Sequence, residues 1–353
     1  MRVRRRFARE KGSEDGRSWK SALTVCSQIS GGLLLIAVAA VNMPPSFLSI
    51  PLASRNLTSI STTVTKSTSQ TSDCCSLARQ DTFGLFDDIT DTMWKRIRQR
   101  TQASSWYWDP KNPVNNVQDP GWWNSHNMIP NFACPHVEKL GGAGNEGTKF
   151  VCNPRRLVTE EKPSCLIYSV GCAGDFKFED EIFKLHKKAC EIHVFDPANW
   201  ERKGDAENKN IHYHAWGFKS TYDEESKSVV WPKGRGGGFK TIPETLKELG
   251  HENRTIDIFK IDCEGCEWST HKDWISVGFR QILVEMHGVP APEGTPKARW
   301  YQKPMDIHND YYKDYMDNGY ALFNHDPNGE LGLELSFIKL DKPFWETPSQ
   351  EAW

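Results

Sequence analysis

The sequence predicts an α/β fold built on an open, mostly parallel sheet, and two stretches carry that prediction. Thr255 to Trp268, TIDIFKIDCEGCEW, sets an apolar run of buried-strand type directly before three acids, Asp262, Glu264 and Glu267. Open α/β sheets keep their ligands at the carboxyl ends of parallel strands, so this reads as a catalytic edge. Upstream, Cys165-Leu-Ile-Tyr-Ser-Val170 runs into Gly171-Cys-Ala-Gly174-Asp175, then a helical stretch, then Glu191-Ile-His-Val-Phe-Asp196. Strand, glycine turn, helix, strand, acid is the arrangement of a site for a nucleotide or a nucleoside cofactor.

In chain order, a helix is expected from about Asp81 to Gln102. Leu85, Phe86, Ile89, Met93 and Ile97 share a face, while acids come early and Lys95, Arg96, Arg98 and Arg100 late, as the helix dipole favours. Residues 104–160 are rich in Trp, Asn, Pro and Gly and read as an irregular cap. Its Trp106, Trp108, Trp122 and Trp123 suit either core filling or stacking on a sugar or aromatic substrate. Strands follow at 165–170, 191–196, 211–216, 256–261 and 281–286, with helices near 178–189, 241–250, 268–277 and 306–318. Tyr320 to Phe323 and Leu333 to Leu340, separated by Asp326-Pro-Asn-Gly329, look like an antiparallel pair closing the sheet. Gly234 to Gly238 follows no strand and reads as a loop.

The first 20 residues carry eight Lys/Arg against three acids, although the whole chain has a net charge of only −2. No basic surface remains that would argue for nucleic acid. An uncharged stretch from Ser21 to Ser54 follows, and Ala22 to Val41 is long enough to span a bilayer. A retained anchor at 21–43 is favoured over a cleaved signal peptide, because the basic head is long for a signal peptide. Positive charge before the anchor keeps residues 1–20 cytosolic and places the rest in the lumen. Residues 44–80, rich in Ser and Thr at their start, read as a disordered stem, followed by the helix and cap (81–160) and the α/β body (161–345). Asn56-Leu-Thr58 and Asn253-Arg-Thr255 are glycosylation acceptors.

Cysteine usage fits a lumenal body. Of ten cysteines, Cys26 lies in the apolar segment and nine follow it. Cys165 and Cys190 each precede one of two predicted neighbouring strands, which is within disulfide reach. Cys134 and Cys152 bracket a glycine-rich loop and form the next pair. Cys74 or Cys75 in the stem could link two chains, or both could remain thiols. Cys263-Glu-Gly-Cys266 has redox-motif spacing without the matching fold context, so a local disulfide or two free thiols is expected rather than oxidoreductase chemistry or a zinc site.

Taken in order and spacing, SVGCAGDFKFEDE, HVFDP, TIPETLKELG, IDIFKIDCEGCEW and ILVEMHG resemble the S-adenosylmethionine-dependent methyltransferase domain of the methyltransferase-like protein 24 type, related to the FkbM methyltransferases. ACPHVEKLGG with GTKFVCNPRRL is similar to the same group's N-terminal extension, so the resemblance covers about residues 130–340. It implies a class I methyltransferase (Rossmann-like) fold with a seven-stranded sheet and helices on both faces. S-adenosylmethionine would lie with its methionine end over Gly171 to Gly174, beside Asp175, its ribose on Asp196 and its methyl near Asp262. Two positions depart from the group's pattern: Ser169 stands where an acid often precedes the first glycine, and Ala173 replaces the second glycine.

Methyl transfer from a sulfonium is an in-line displacement, so the protein mainly aligns donor and acceptor, and a hydroxyl acceptor also needs a base. Asp262, Glu264, Glu285 and His287 at two strand ends are the catalytic candidates, with His287 the preferred base because its ordinary pKa lies nearest neutrality. Alternatively these four residues hold a divalent cation, although no resident metal is expected. The resulting expectation is a single-pass type II membrane protein of the secretory pathway, its lumenal domain methylating a hydroxyl of a carbohydrate or glycoconjugate in the Golgi. A metal-dependent glycosyltransferase and a non-catalytic glycan-binding module are the competing readings.

Overall fold

The computed structural model describes residues 75–104, 129–142, 147–198, 200, 210–221, 238–287, 305–328 and 332–346. All lie in one compact unit, 65–353. The basic head, the segment 21–43 expected to be an anchor, Asn56, Cys74 and the four cap tryptophans fall outside the described residues. No helix among the described residues is long and apolar enough to cross a membrane.

The chain opens with α1 (Ser76–Asp81) and α2 (Asp91–Ala103), then β1 (Val137–Leu140) and β2 (Lys149–Cys152). The body comprises β3 (Cys165–Val170), α3 (Lys177–His186), β4 (Cys190–Phe195), β5 (Ile211–His214), β6 (Trp216–Phe218), β7 (Gly238–Lys240), α4 (Ile242–Leu249), β8 (Ile258–Ile261), α5 (Glu267–Val277), β9 (Gln281–Met286), α6 (Met305–Asp317), β10 (Tyr320–Asn328), β11 (Gly332–Lys339) and α7 (Lys342–Glu346). Seven strands form one sheet in the order β10-β11-β9-β8-β3-β4-β5. The last five run parallel, and β11 lies antiparallel between β9 and β10. That order and orientation is the class I methyltransferase arrangement. The chain leaves β3 toward one edge and returns at β8 to fill the other, so the crevice between the ends of β3 and β8 is the switch point where such sheets bind ligands.

Every residue of β3, β8 and β9 is buried, as strands covered on both faces must be. One face packs Ile242 and Leu246 of α4, Trp274 of α5 and Tyr315 of α6. The other packs Trp94 and Ile97 of α2, Ile182 of α3 and Phe344 of α7. Local signals agree with the elements: Thr241 and Glu244 form a reciprocal cap at the start of α4, and Gly250 ends it in the left-handed conformation, φ 70°.

Three elements differ from the sequence reading. The helix expected from Asp81 is two helices, because Phe83 and Gly84 take positive φ and Thr90 restarts the helix by accepting the Met93 amide at 3.3 Å. Asp81 is a buried acceptor for the Trp94 indole N–H and Arg98, and Met93 is half exposed. The 211–216 strand is split: β5 joins the main sheet and β6 pairs with β7. Within the cap, β1 and β2 form an antiparallel pair tied by the Cys134–Cys152 disulfide. The Gln281 side chain clamps β2 to the sheet, its amide bonding both the N–H and the C=O of Cys152 at 2.9 and 2.8 Å. Cys165 and Cys190 stand opposite each other in register and are joined, as are Cys263 and Cys266. Cys75 is buried.

Candidate active site

The turn after β3 is held from two sides. Gly171 donates its N–H to the Phe195 carbonyl at 2.8 Å, and Asp262 donates its own to the Val170 carbonyl at 3.1 Å. With φ at +74°, a Cβ on Gly171 would lie 1.6 Å from the Asp262 carbonyl oxygen, so only glycine lets β3 and β8 close here. Asp196, at the end of β4, accepts from the amides of Cys172 (3.2 Å), Ala173 (3.0 Å) and Ala198 (2.8 Å). Its first physical task is therefore to clamp the turn. Ala173 sits at φ 45°, a left-handed position that glycine would occupy without strain, and Asp196's bond to its amide helps hold it there. Ser169, where an acid was the common pattern, donates to the carboxylate of Glu179, a buried residue of α3. A carboxylate thus still stands beside this strand end, supplied from the helix. Asp175 caps the start of α3 through the Lys177 amide at 3.0 Å.

Charge converges on the ends of β8 and β9. Lys149 of β2 reaches in from the cap, buried, with its ammonium 2.6 Å from Glu334, 3.2 Å from Glu285 and 3.7 Å from Asp262. Burial works against its charge, yet these carboxylates outweigh that and hold it protonated well above the usual lysine range. Burial likewise opposes ionisation of Glu285, but Lys149 leads the groups that hold its pKa down at about 2. Glu334, more deeply enclosed, is pushed well above the ordinary carboxylate range by burial, against the pull of Lys149. Asp262 is shifted upward, burial again the main cause. Lys260, in the middle of β8, donates to the Gly171 carbonyl at 2.7 Å and ties the glycine turn to the same strand.

His287 follows β9. Its amide and Nδ1 lie 2.6 and 3.0 Å from one oxygen of Glu267, a fully buried residue opening α5. Its Nε2 lies 3.8 Å from carboxylate oxygens of Asp262, Glu264 and Glu285. Burial alone would lower its pKa, but the Glu267 contact and the surrounding acids raise it to about 10. In its protonated form the ring does not take up a proton, which weighs against His287 as the base and leaves the neighbouring Asp262 carboxylate as the other candidate. Asp262, Glu285 and His287 bring one ligand atom each within 4.8 Å of one another, but the Lys149 ammonium already supplies the positive charge these carboxylates need.

One cavity of about 230 Å³ is lined by Gly171, Asp175, Asp196, Asp262, Glu264, Glu285 and His287. Gly174 is not among its lining residues, and a Cβ there would lie 3.0 Å from the Trp200 ring. Glu264 projects at the rim from a strained turn, φ 57°, closed by the Cys263–Cys266 disulfide. Sequence reasoning missed Lys149, Lys260 and Glu334, and it placed Glu267 at the edge without its role as the partner of His287. Lys260 and Glu334 carried a usable signal, a charge inside an otherwise apolar strand, whereas nothing around Lys149 marked it.

A family profile described as "Methyltransferase domain" matches residues 76–339. No curated protein matches the chain. Among solved structures, Aeropyrum pernix fibrillarin with natively bound S-adenosyl-L-methionine is similar at 12% identity and a TM-score of 0.31, the match covering 50% of this chain and 66% of fibrillarin, just under two thirds. Magnesium protoporphyrin IX methyltransferase from Synechocystis PCC 6803 with bound SAH is similar at 14% identity and a TM-score of 0.25, covering 50% and 74%. A SAM-dependent methyltransferase from Aquifex aeolicus gives 11% identity and a TM-score of 0.23, covering 52% and 88%. At such scores the likeness carries no argument about activity. The family match spans the described body from α1 to β11, and the chain belongs to the methyltransferase-domain family.

Proposed function

We propose that the chain is an S-adenosylmethionine-dependent O-methyltransferase whose acceptor is a hydroxyl of a carbohydrate or glycoconjugate, and that within its family it is of the methyltransferase-like protein 24 type. The observation that carries this reading is the meeting of Gly171, Asp196 and Asp262 on one cavity at the switch point of the sheet. The residues fit the cofactor: Asp175, Asp196 and Asp262 are acceptors suited to ribose hydroxyls and to the cationic amine of a methionine tail, and the turn at 171–174 presents backbone rather than side chain. When bound, S-adenosylmethionine supplies an electrophilic methyl on a sulfonium.

Asp196 would fix the turn and offer its remaining lone pairs to the ribose. Asp262 would receive the acceptor hydroxyl's proton on its carboxylate, while His287 and Lys149 keep Glu285 charged and in place. The rim residue Glu264, 65% exposed at its side chain, is positioned to meet the acceptor. Support for a lumenal location comes from three disulfides and from an exposed Asn253 in its acceptor triplet. On this reading residues 21–43 anchor a type II protein of the secretory pathway, placed in the Golgi. A reporter fused after Asp73 should face the lumen; a cytosolic reporter contradicts that topology.

A thermal-shift panel tests the enzymatic reading. S-adenosylhomocysteine should raise the melting temperature. Stabilisation by manganese with a sugar nucleotide alone would replace it with a glycosyltransferase.

A further inference from the structure

On the opposite side of β4 from the Cys165–Cys190 bridge, away from the cavity, the sheet carries a second cluster of chemically competent side chains. Glu191 and His193, two residues apart on β4, project from the same face. His251 is brought beside them by the end of α4, its amide bonded to the Leu246 carbonyl at 2.7 Å just past the Gly250 cap. One oxygen of Glu191 lies 2.8 Å from His193 Nε2 and 3.4 Å from His251 Nε2. One ligand atom from each residue falls within 4.8 Å of the other two. A tetrahedral zinc ion bound at about 2.0 to 2.1 Å has ligand atoms about 3.3 Å apart, so these three already stand near the corners of such a site.

We infer that Glu191, His193 and His251 form a site for zinc or a similar divalent transition metal, separate from the methyl-transfer cavity and independent of that reading. Every ligand is oriented from behind. His193 Nδ1 lies 2.8 Å from His214 Nε2, His251 Nδ1 lies 2.7 Å from the Tyr168 hydroxyl, and Arg254 holds the second oxygen of Glu191 at 2.6 Å. Metal-binding histidines are characteristically fixed in this way through the ring nitrogen that does not bind. A hydrogen-bond network alone would need only one imidazole on the Glu191 oxygen, and here two converge on it.

Binding at His193 Nε2 places the ring proton on Nδ1, where His214 Nε2 accepts it; the proton count is unchanged. Two imidazoles favour a transition metal over magnesium or calcium. Glu191 is about one-third exposed and gives the ion its entry from solvent, leaving the fourth position to water. A bound ion would tie β4 to the loop after α4.

The test is metal binding by the full chain, stripped with a chelator and then equilibrated with zinc. The wild type should retain about one zinc per chain, and cobalt(II) in its place should show the visible absorption of a four-coordinate site. Glu191→Gln, at a partly exposed position, and His251→Gln should weaken zinc binding about 100-fold or more, and Tyr168→Phe about 10-fold. Asp262→Asn should leave the stoichiometry unchanged. Should His251→Gln fail to fold, Glu191→Gln and the cobalt spectrum still decide. No zinc retained by the wild type, or zinc lost in Asp262→Asn while Glu191→Gln keeps it, overturns the inference.

Discussion

Gly171 is the residue on which the site's geometry turns. Its Cα faces the Asp262 carbonyl so closely that a methyl group would overlap it. Gly171→Ala should destabilise the protein by at least about 1 kcal/mol from the left-handed backbone alone, and should abolish S-adenosylhomocysteine binding, read by thermal shift. Lys149 is the counterpart on the cap. Lys149→Met removes the buried cation closest to Glu285 and Asp262 and should cost about 3 kcal/mol or more, measured by urea unfolding. His287 sets a pH dependence of definite sign. Its pKa is raised from 6.5 to about 10, so its stabilising contribution is complete below 6.5 and is lost as pH rises through 10. The melting temperature of the wild type should therefore fall between pH 7 and 10, and His287→Gln should flatten that fall. At this scale the sequence showed the carboxylates, because acids after apolar runs stand out. It did not show the cations that set their protonation: Lys149 arrives from another layer, and the charge of His287 depends on Glu267, 20 residues earlier.

Among elements, the parallel strands were the most legible. Fully buried strands leave runs such as CLIYSV and QILVEM that surface helices do not, and their in-register placement makes Cys165 and Cys190 opposite neighbours. Replacing both cysteines with alanine should lower stability by about 3 kcal/mol in non-reducing conditions, with no further loss on adding reductant from this pair. The segment before the body was harder to read. Leu85, Phe86 and Ile89 keep helical spacing while lying in a turn, since the buried acceptor Asp81 and the positive φ at Phe83 and Gly84 override the periodicity. The β1–β2 pair was invisible for a different reason. Its strands have four residues each, and their pairing is held by a disulfide and by Gln281 rather than by an alternating apolar pattern.

For the whole molecule, one sheet carries two proposed sites at separated places: a cavity at the carboxyl ends of β3, β8 and β9, and a histidine-rich face of β4. The cavity depends on every layer, because the glycine turn comes from the sheet, Glu179 from α3, Glu267 from α5 and Lys149 from the cap. That dependence predicts cooperativity between cofactor and cap. Lys149→Met should weaken cofactor binding although Lys149 lies beneath the cavity, checked by comparing its affinity with that of the wild type. The central claim, that Gly171, Asp196 and Asp262 frame a cofactor site, is tested most directly by calorimetric titration of the protein with S-adenosylhomocysteine. The account predicts saturable binding to the wild type and none to Gly171→Ala. Absence of binding to a folded wild type, or equal binding to both proteins, would contradict it.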